Sequence, residues 1–243
     1  MLEQDPITAA VNKYLGKFAI QLMHLVHVQP YDPQAPITRP FAMELLVFGL
    51  LLVFFLLVRF SLSVEKPGTI QQVAEMIHGF VSDQAESIVG PGSQRFVMFC
   101  TCVLLFILLG NLLGMVPGLL APTSVPTVPL GVALLCWFYY HYYGLRANGF
   151  HYFRQFTGPM WQIAFMMLPI ELISHLARIL SLTVRLYANM FAGEEVTLVF
   201  FSLVPVGIPI LFMILHLGVA LIQAYIFMLL TMIYVSQAIA HEH

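Results

Sequence analysis

Charge is what this chain has least of. Asp, Glu, Lys and Arg make up 9% of its 243 residues, against 60% hydrophobic residues, whereas soluble domains average about 25% charged. That excludes an ordinary soluble fold and, with a mean hydropathy of +0.87, describes a polytopic membrane protein. No acid occurs between Glu86 and Glu171. A net charge of -2 leaves no basic footprint for nucleic acid. Cysteine is also scarce. Cys100, Cys102 and Cys136 lie in apolar runs, without metal-ligand or redox spacing, and are read as small buried apolar residues. No cofactor and no metal site are expected. The opening MLEQDPITAA lacks the basic and apolar regions of a signal peptide, so internal spans are expected to direct insertion.

What is present is a series of long apolar runs. Residues 1–40, punctuated by Pro30, Pro33, Pro36 and Pro40, read as a short amphipathic start and an irregular, extramembrane lead-in. Residues 41–62 can span the hydrocarbon, with Glu44 and Arg59 near opposite ends. Residues 69–90 carry Ile70, Val73, Ile77, Val81 and Ile88 on one side and three acids elsewhere, an amphipathic helix ending at Gly90-Pro91-Gly92. A second span covers 96–120, interrupted near its end by Asn111, Gly114 and Pro117. A third covers 128–143 and ends in WFYYHYY, read as an interfacial aromatic belt.

From Met160 to Leu203 the only proline is Pro169 and the only glycine Gly193. Such a helix is about 66 Å long, twice the hydrocarbon thickness, so it must tilt steeply, kink or run partly outside. After a turn at Pro205 to Pro209, residues 210–240 form its antiparallel partner. The fold class is therefore an all-α polytopic membrane protein with about five membrane helices, one amphipathic helix and a long, tilted C-terminal hairpin. Residues 41–158 form peripheral membrane helices and 159–243 the hairpin. Lys and Arg cluster in the 59–95 and 144–158 connections and are absent from the 115–127 and 204–209 turns. The charged connections belong on the cytoplasmic side, placing the N-terminus outside and the C-terminus inside; Lys13, Lys17 and Arg39 run against that assignment.

The hairpin also carries the surviving charge. At about 100° per residue, Glu171, His175, Arg178, Arg185 and Asn189 share one helical face, with Ser174 and Ser181 at its edge. His216 and Gln223 share a face of the last helix. A turn centred near Val206 yields three zones: Glu194, Glu195 and His216 towards the outside, Arg185, Asn189 and Gln223 in the middle, and Glu171, His175 and Ser181 towards the inside. Carboxylates and imidazoles can exchange protons with bound water, whereas arginine cannot lose its proton. Protons could thus enter from either side without a continuous path across. An arginine near a bilayer centre costs about 2.5–3.5 kcal/mol on insertion scales, and Arg185 has no acid within a turn of its own helix. Its counter-ion is therefore sought on another chain. At about 4 Å and an effective dielectric of about 20 the attraction is about 4 kcal/mol. That is about a thousandfold in a visiting carboxylate's hold on its proton.

Other readings of these residues stay open. The stripe could be polar glue along a helix seam, Arg178 could pair with Glu171 or snorkel, and His175 could be a packing residue. A secondary transporter using Glu171 and Arg185 as its substrate site is the main alternative, although the two halves lack matched inverted repeats. A scaffold subunit is another.

The segment SLTVRLYANMFAGE, Ser181 to Glu194, resembles subunit a of the F-type ATP synthase, bacterial type. HLGVALIQAYIFMLLTMIY, with His216 and Gln223 seven apart, and GNLLGMVP, Gly110 to Pro117, resemble two further family signatures. The resemblance covers most of 70–243. It implies a non-enzymatic proton-channel stator of a rotary motor in the bacterial inner membrane. Its implied partners are the c-ring, subunit b of the peripheral stalk, the rest of the F1Fo complex and the lipid bilayer, and its ion is the proton rather than sodium. Arg185 matches the arginine that faces the c-ring carboxylates. Glu194 and His216 match the outer half-channel, joined by Glu195 and Asn111. Asn189 and Gln223 match polar residues beside the arginine, and Glu171, with Ser181, matches the inner half-channel. Gly114 stands where some relatives have an acid, which shifts the outer path towards Glu194 and Glu195.

Overall fold

The computed structural model describes residues 6–25, 36–63, 67–116, 119–149, 152, 161–203 and 207–239. Among them are seven α-helices: α1 (Pro6–Leu25), α2 (Arg39–Phe60), α3 (Thr69–Val89), α4 (Gln94–Leu113), α5 (Thr127–Asn148), α6 (Trp161–Leu203) and α7 (Ile208–Ile239), with a 3-10 turn at Pro122–Ser124. No strand occurs among the described residues. The chain is an all-α polytopic membrane protein. Helices α2, α4, α6 and α7 are long and apolar enough to cross a membrane. Helix α5 has the length, at 22 residues, but its second half is rich in tyrosine and less apolar.

Local chemistry sets most boundaries. Helix α2 starts with Pro40 in its first turn, where a missing N–H costs nothing. Helix α3 stops at Gly90, whose φ of +84° suits glycine. Helix α4 ends at Leu113, seven residues before the expected end of that span, because the chain folds back there: a Cβ on Gly114 would overlap that of Ala121. Helix α6 runs unbroken for 43 residues through Pro169, about 65 Å at 1.5 Å per residue.

The N-terminal segment departs from expectation. Its amphipathic start is a 20-residue helix, latched to the chain before α2 by Asn12, which donates to Ile37 O at 3.0 Å and accepts from Ile37 N–H at 2.9 Å. The irregular lead-in lies mostly outside the described residues, as do most of the loop carrying Arg154 and the tip of the hairpin turn. The apolar side of α3 is buried within this chain only in part. Ile70 and Val73 are exposed, and Gln71 turns inward instead. It exchanges hydrogen bonds with the main chain of Ser63 at 2.9 and 3.2 Å, so its amide enters the interior already satisfied.

The core lies where α3, α4 and α5 meet the hairpin, through Val81, Cys100, Ile107, Cys136, Met190 and Met228. Both cysteines act there as small apolar groups. Fully buried Ala220 and Ala224 let α7 lie close against its neighbours. One polar tie crosses this core. Asn111, fully buried on α4, donates to Ala220 O at 3.2 Å and accepts the Thr123 hydroxyl at 2.7 Å. Thr123→Val keeps the shape but strands a buried amide oxygen, a loss of about 1–3 kcal/mol. Thermal unfolding of the purified protein should show a lowered midpoint for Thr123→Val and little change for Thr123→Ser.

Candidate functional site

Helices α6 and α7 run antiparallel, and their pairings place the polar residues at three levels. Arg178 lies over Tyr234, Gln223 reaches Arg185, and Gly193 packs on His216. This register is within one turn of that expected from a turn near Val206.

At the middle level, Arg185 Nη2 donates to Ser181 Oγ at 3.4 Å. Gln223, buried on α7, donates through Nε2 to the main-chain oxygen of Arg185 at 3.0 Å. It thus braces the helix that carries the guanidinium and does not neutralise it. Among the described residues no carboxylate lies within ion-pair distance of Arg185. Asn189 is exposed. So are Ala177, Ser181, Ala188 and Ala192, which fall within about 60° around the helix axis. Arg185 stands at the edge of this shallow strip, where another helix could approach closely.

Towards the turn, Glu194 and His216 line one cavity of about 420 Å³, together with Arg39, Gly193, Leu120 and Thr197. Ser124 stands beside Glu194, and its hydroxyl also lies 2.8 Å from Ala121 O. Glu195 is exposed and outside the cavity lining, which separates two adjacent acids that sequence alone leaves equivalent. Asn111 is next to this region but committed to the bonds described above. Arg39 and Ser124 were not foreseen: neither sits in a polar pattern, Arg39 lines the cavity from the start of α2, and Ser124 stands beside Glu194 through the packing of the 3-10 turn against α6.

At the far level, His175 is buried between two partners. Its Nδ1 meets Tyr140 Oη of α5 at 2.9 Å, and its Nε2 lies 3.4 Å from Glu171 Oε1. Arg178 places its guanidinium 4.9 Å from the centre of the Tyr234 ring and stands near the Tyr140 phenol. It thus pairs with aromatic faces rather than with Glu171. His141 and Tyr152 close the group. Part of the expected aromatic belt is therefore interior, and Tyr140 is 2% exposed. No group of three or more His, Cys, Asp or Glu among the described residues is arranged to hold a metal. A separate crevice between α2, α4 and α5, of about 760 Å³, is apolar apart from Glu44, Arg59 and Thr127 and lies off this trail.

The chain matches the family model of the ATP synthase A chain over residues 41–236. It is 50% identical to ATP synthase subunit a of Koribacter versatilis (strain Ellin345) over 237 residues, 97% of each chain. It is 49% identical to ATP synthase subunit a of Solibacter usitatus (strain Ellin6076) over 214 residues, 86% of this chain and 92% of the relative. ATP synthase subunit a 1 of Syntrophotalea carbinolica is 36% identical over 231 residues, 95% of this chain and 97% of the relative.

The contact between Gly193 and His216 is tight enough to test. A Cβ at Gly193 would overlap His216 Nδ1, and overpacking of this kind costs about 1–3 kcal/mol. Gly193→Ala should therefore lower the unfolding midpoint, and adding His216→Ala should recover part of the loss. Additive losses in the double variant would show that the two residues do not compete for the same space.

Proposed function

Since this chain belongs to the ATP synthase A chain family, we propose that it is the proton-channel stator subunit of a rotary ATP synthase, a non-catalytic part of the F1Fo complex. It is a multi-pass protein of the inner membrane, with its N-terminus periplasmic and its C-terminus cytoplasmic. Protons pass through two offset half-channels to and from carboxylates of a c-ring. Subunit b and the rest of the complex hold this chain against that ring.

The observation that carries this reading is Arg185: a permanent charge in an apolar hairpin, beside an exposed strip of small residues, without a carboxylate of its own chain among the described residues. A rotor helix fits that strip, and its acid supplies the missing counter-charge. Outside protons reach the ring carboxylate past Glu194 and His216, with Glu195 at the rim and Asn111 beside them. The neutral acid then rotates through lipid, avoiding most of the cost of burying a charge. Near the end of the turn it meets the inner route at Glu171, His175 and Ser181 and gives up its proton. Arg185 favours that loss and prevents protons from crossing directly, while Asn189 and Gln223 line or brace its surroundings. Each elementary charge crossing the membrane gains about 2.3 kcal/mol per 100 mV. A transporter with a substrate site at Glu171 and Arg185 is less well supported, because Glu171 faces His175 and not the arginine.

Arg185→Ala in the assembled complex should abolish proton-driven ATP synthesis and admit a passive proton leak through the membrane sector, measured in proteoliposomes. Arg185→Lys should fail as well, since an ammonium is a point charge that can lose its proton when desolvated. Full coupled synthesis in either variant would overturn the assignment. Glu194→Gln should slow proton flux severalfold while the complex still assembles. Unchanged flux, with flux lost in Glu195→Gln, would move the outer role to Glu195.

A further inference from the structure

Beyond the half-channel residues, we propose that Tyr140 of α5 is a positioning residue of the inner proton route: it fixes the tautomer of His175 so that the imidazole presents Nε2–H to Glu171. This rests on the reading of Glu171 as the inner acid. It adds a residue from a different helix, and a one-way chain of hydrogen bonds.

The direction of that chain follows from what each group can do. A carboxylate can only accept a hydrogen bond, so the His175 nitrogen that faces Glu171 carries the ring proton. That leaves Nδ1 to accept the phenol proton of Tyr140, 2.9 Å away. An imidazole whose Nδ1 accepts must carry its proton on Nε2, the nitrogen 3.4 Å from Glu171 Oε1. Burial holds the arrangement in place: Tyr140 is 2% and His175 8% exposed. The phenol and imidazole planes lie 22° apart, and the second tyrosine in the cluster, Tyr234, is occupied by the Arg178 guanidinium. Among the described residues, the other titratable groups facing the pair are His141 of α5 and Tyr152 beyond its end.

The chemistry this permits is simple. Glu171 passes its proton to water on the cytoplasmic side, the O–H bond breaks, and the carboxylate left behind accepts a hydrogen bond from His175 Nε2–H. No proton need reside on the imidazole, and Tyr140 never exchanges one. If the phenol is removed, the ring is free to adopt the other tautomer, and the carboxylate loses its donor for part of the time.

The test is ATP synthesis by the whole F1Fo complex in proteoliposomes, with the pH on the cytoplasmic face varied separately from the pH on the outer face. Tyr140→Phe should assemble and retain the block to passive leak. Its decline in rate on the acid side should begin at a higher inner pH, by about half a unit or more, with the outer-face profile unchanged. His175→Leu should produce a similar displacement, and the double variant should add little to either. A merely structural role would lower the rate at every pH, leave the inner profile in place and give additive losses; that result would overturn the proposal. Should Tyr140→Phe fail to assemble, the His175→Leu profile decides, since an unmoved inner limb there removes the donor that Tyr140 is said to orient. Glu171→Gln separates the two layers. If it leaves the inner profile untouched, the inner acid itself is misassigned; if it abolishes the inner dependence while Tyr140→Phe behaves as wild type, only the positioning role falls.

Discussion

A guanidinium keeps its proton at any physiological pH, so a chain that puts one in the middle of an apolar hairpin must be built around it. Arg185 is held by weak means. It has a 3.4 Å contact to Ser181 and a glutamine bracing its backbone. Neither removes its charge. The rest of the structure shows why the site persists: Leu182 and Leu186, flanking Arg185 on α6, are buried in the core with Met190 and Met228, so the helix is not free to roll. The packing fixes the charge at the edge of an exposed strip, with no carboxylate within ion-pair distance among the described residues.

The three polar levels differ in how far each is closed, and that difference accompanies their chemistry. Beside Glu194 and His216 there is a cavity of about 420 Å³, which at about 30 Å³ of liquid per molecule has room for several waters. Around His175 the volume is filled with aromatic rings, and its polar contacts are direct, at 2.9 and 3.4 Å. A cavity with room for water favours water-borne proton exchange with weak orientation. A ring-lined cluster favours fixed hydrogen-bond direction. The same residue type, histidine, therefore sits in one place against solvent-sized space and a glycine backbone, and in the other between a phenol and a carboxylate.

Much of this was legible in the sequence because membrane helices are written in long apolar runs that need no tertiary information. The boundaries of α2, α3 and α7 fell within about two residues of where hydropathy, proline and glycine put them, and the 43-residue α6 followed from the lack of breakers. What was not legible depended on contacts between distant segments. Asn12 on Ile37, Gln71 on Ser63 and Asn111 on Thr123 each leave no periodic trace, since a single polar residue among apolar ones reads alike whether it finds a partner or not. The inward face of α3 was not legible for a related reason: periodicity shows which residues are apolar, and a membrane accepts Ile70 and Val73 on its own side as readily as a core does.

The site divides along the same line. Charges stranded in oil are conspicuous, so Arg185, Glu171, Glu194 and His216 could be picked out by type and spacing alone. Tyr140 could not, because WFYYHYY carries every mark of an interfacial belt, and its neighbours Phe138 and Tyr142 are indeed exposed. Only the rotation of α5 against α6, which sends every third or fourth ring inward, distinguishes the one tyrosine that meets His175 from those that meet lipid. Glu194 and Glu195 present the same problem in miniature: one step along a helix is a rotation of about 100°, enough to put one carboxyl in the cavity and the other outside it. In a helical membrane protein the residue that bears a charge is therefore announced by composition, but the residue that aims it is chosen by helix rotation, and rotation is a property of the packed bundle.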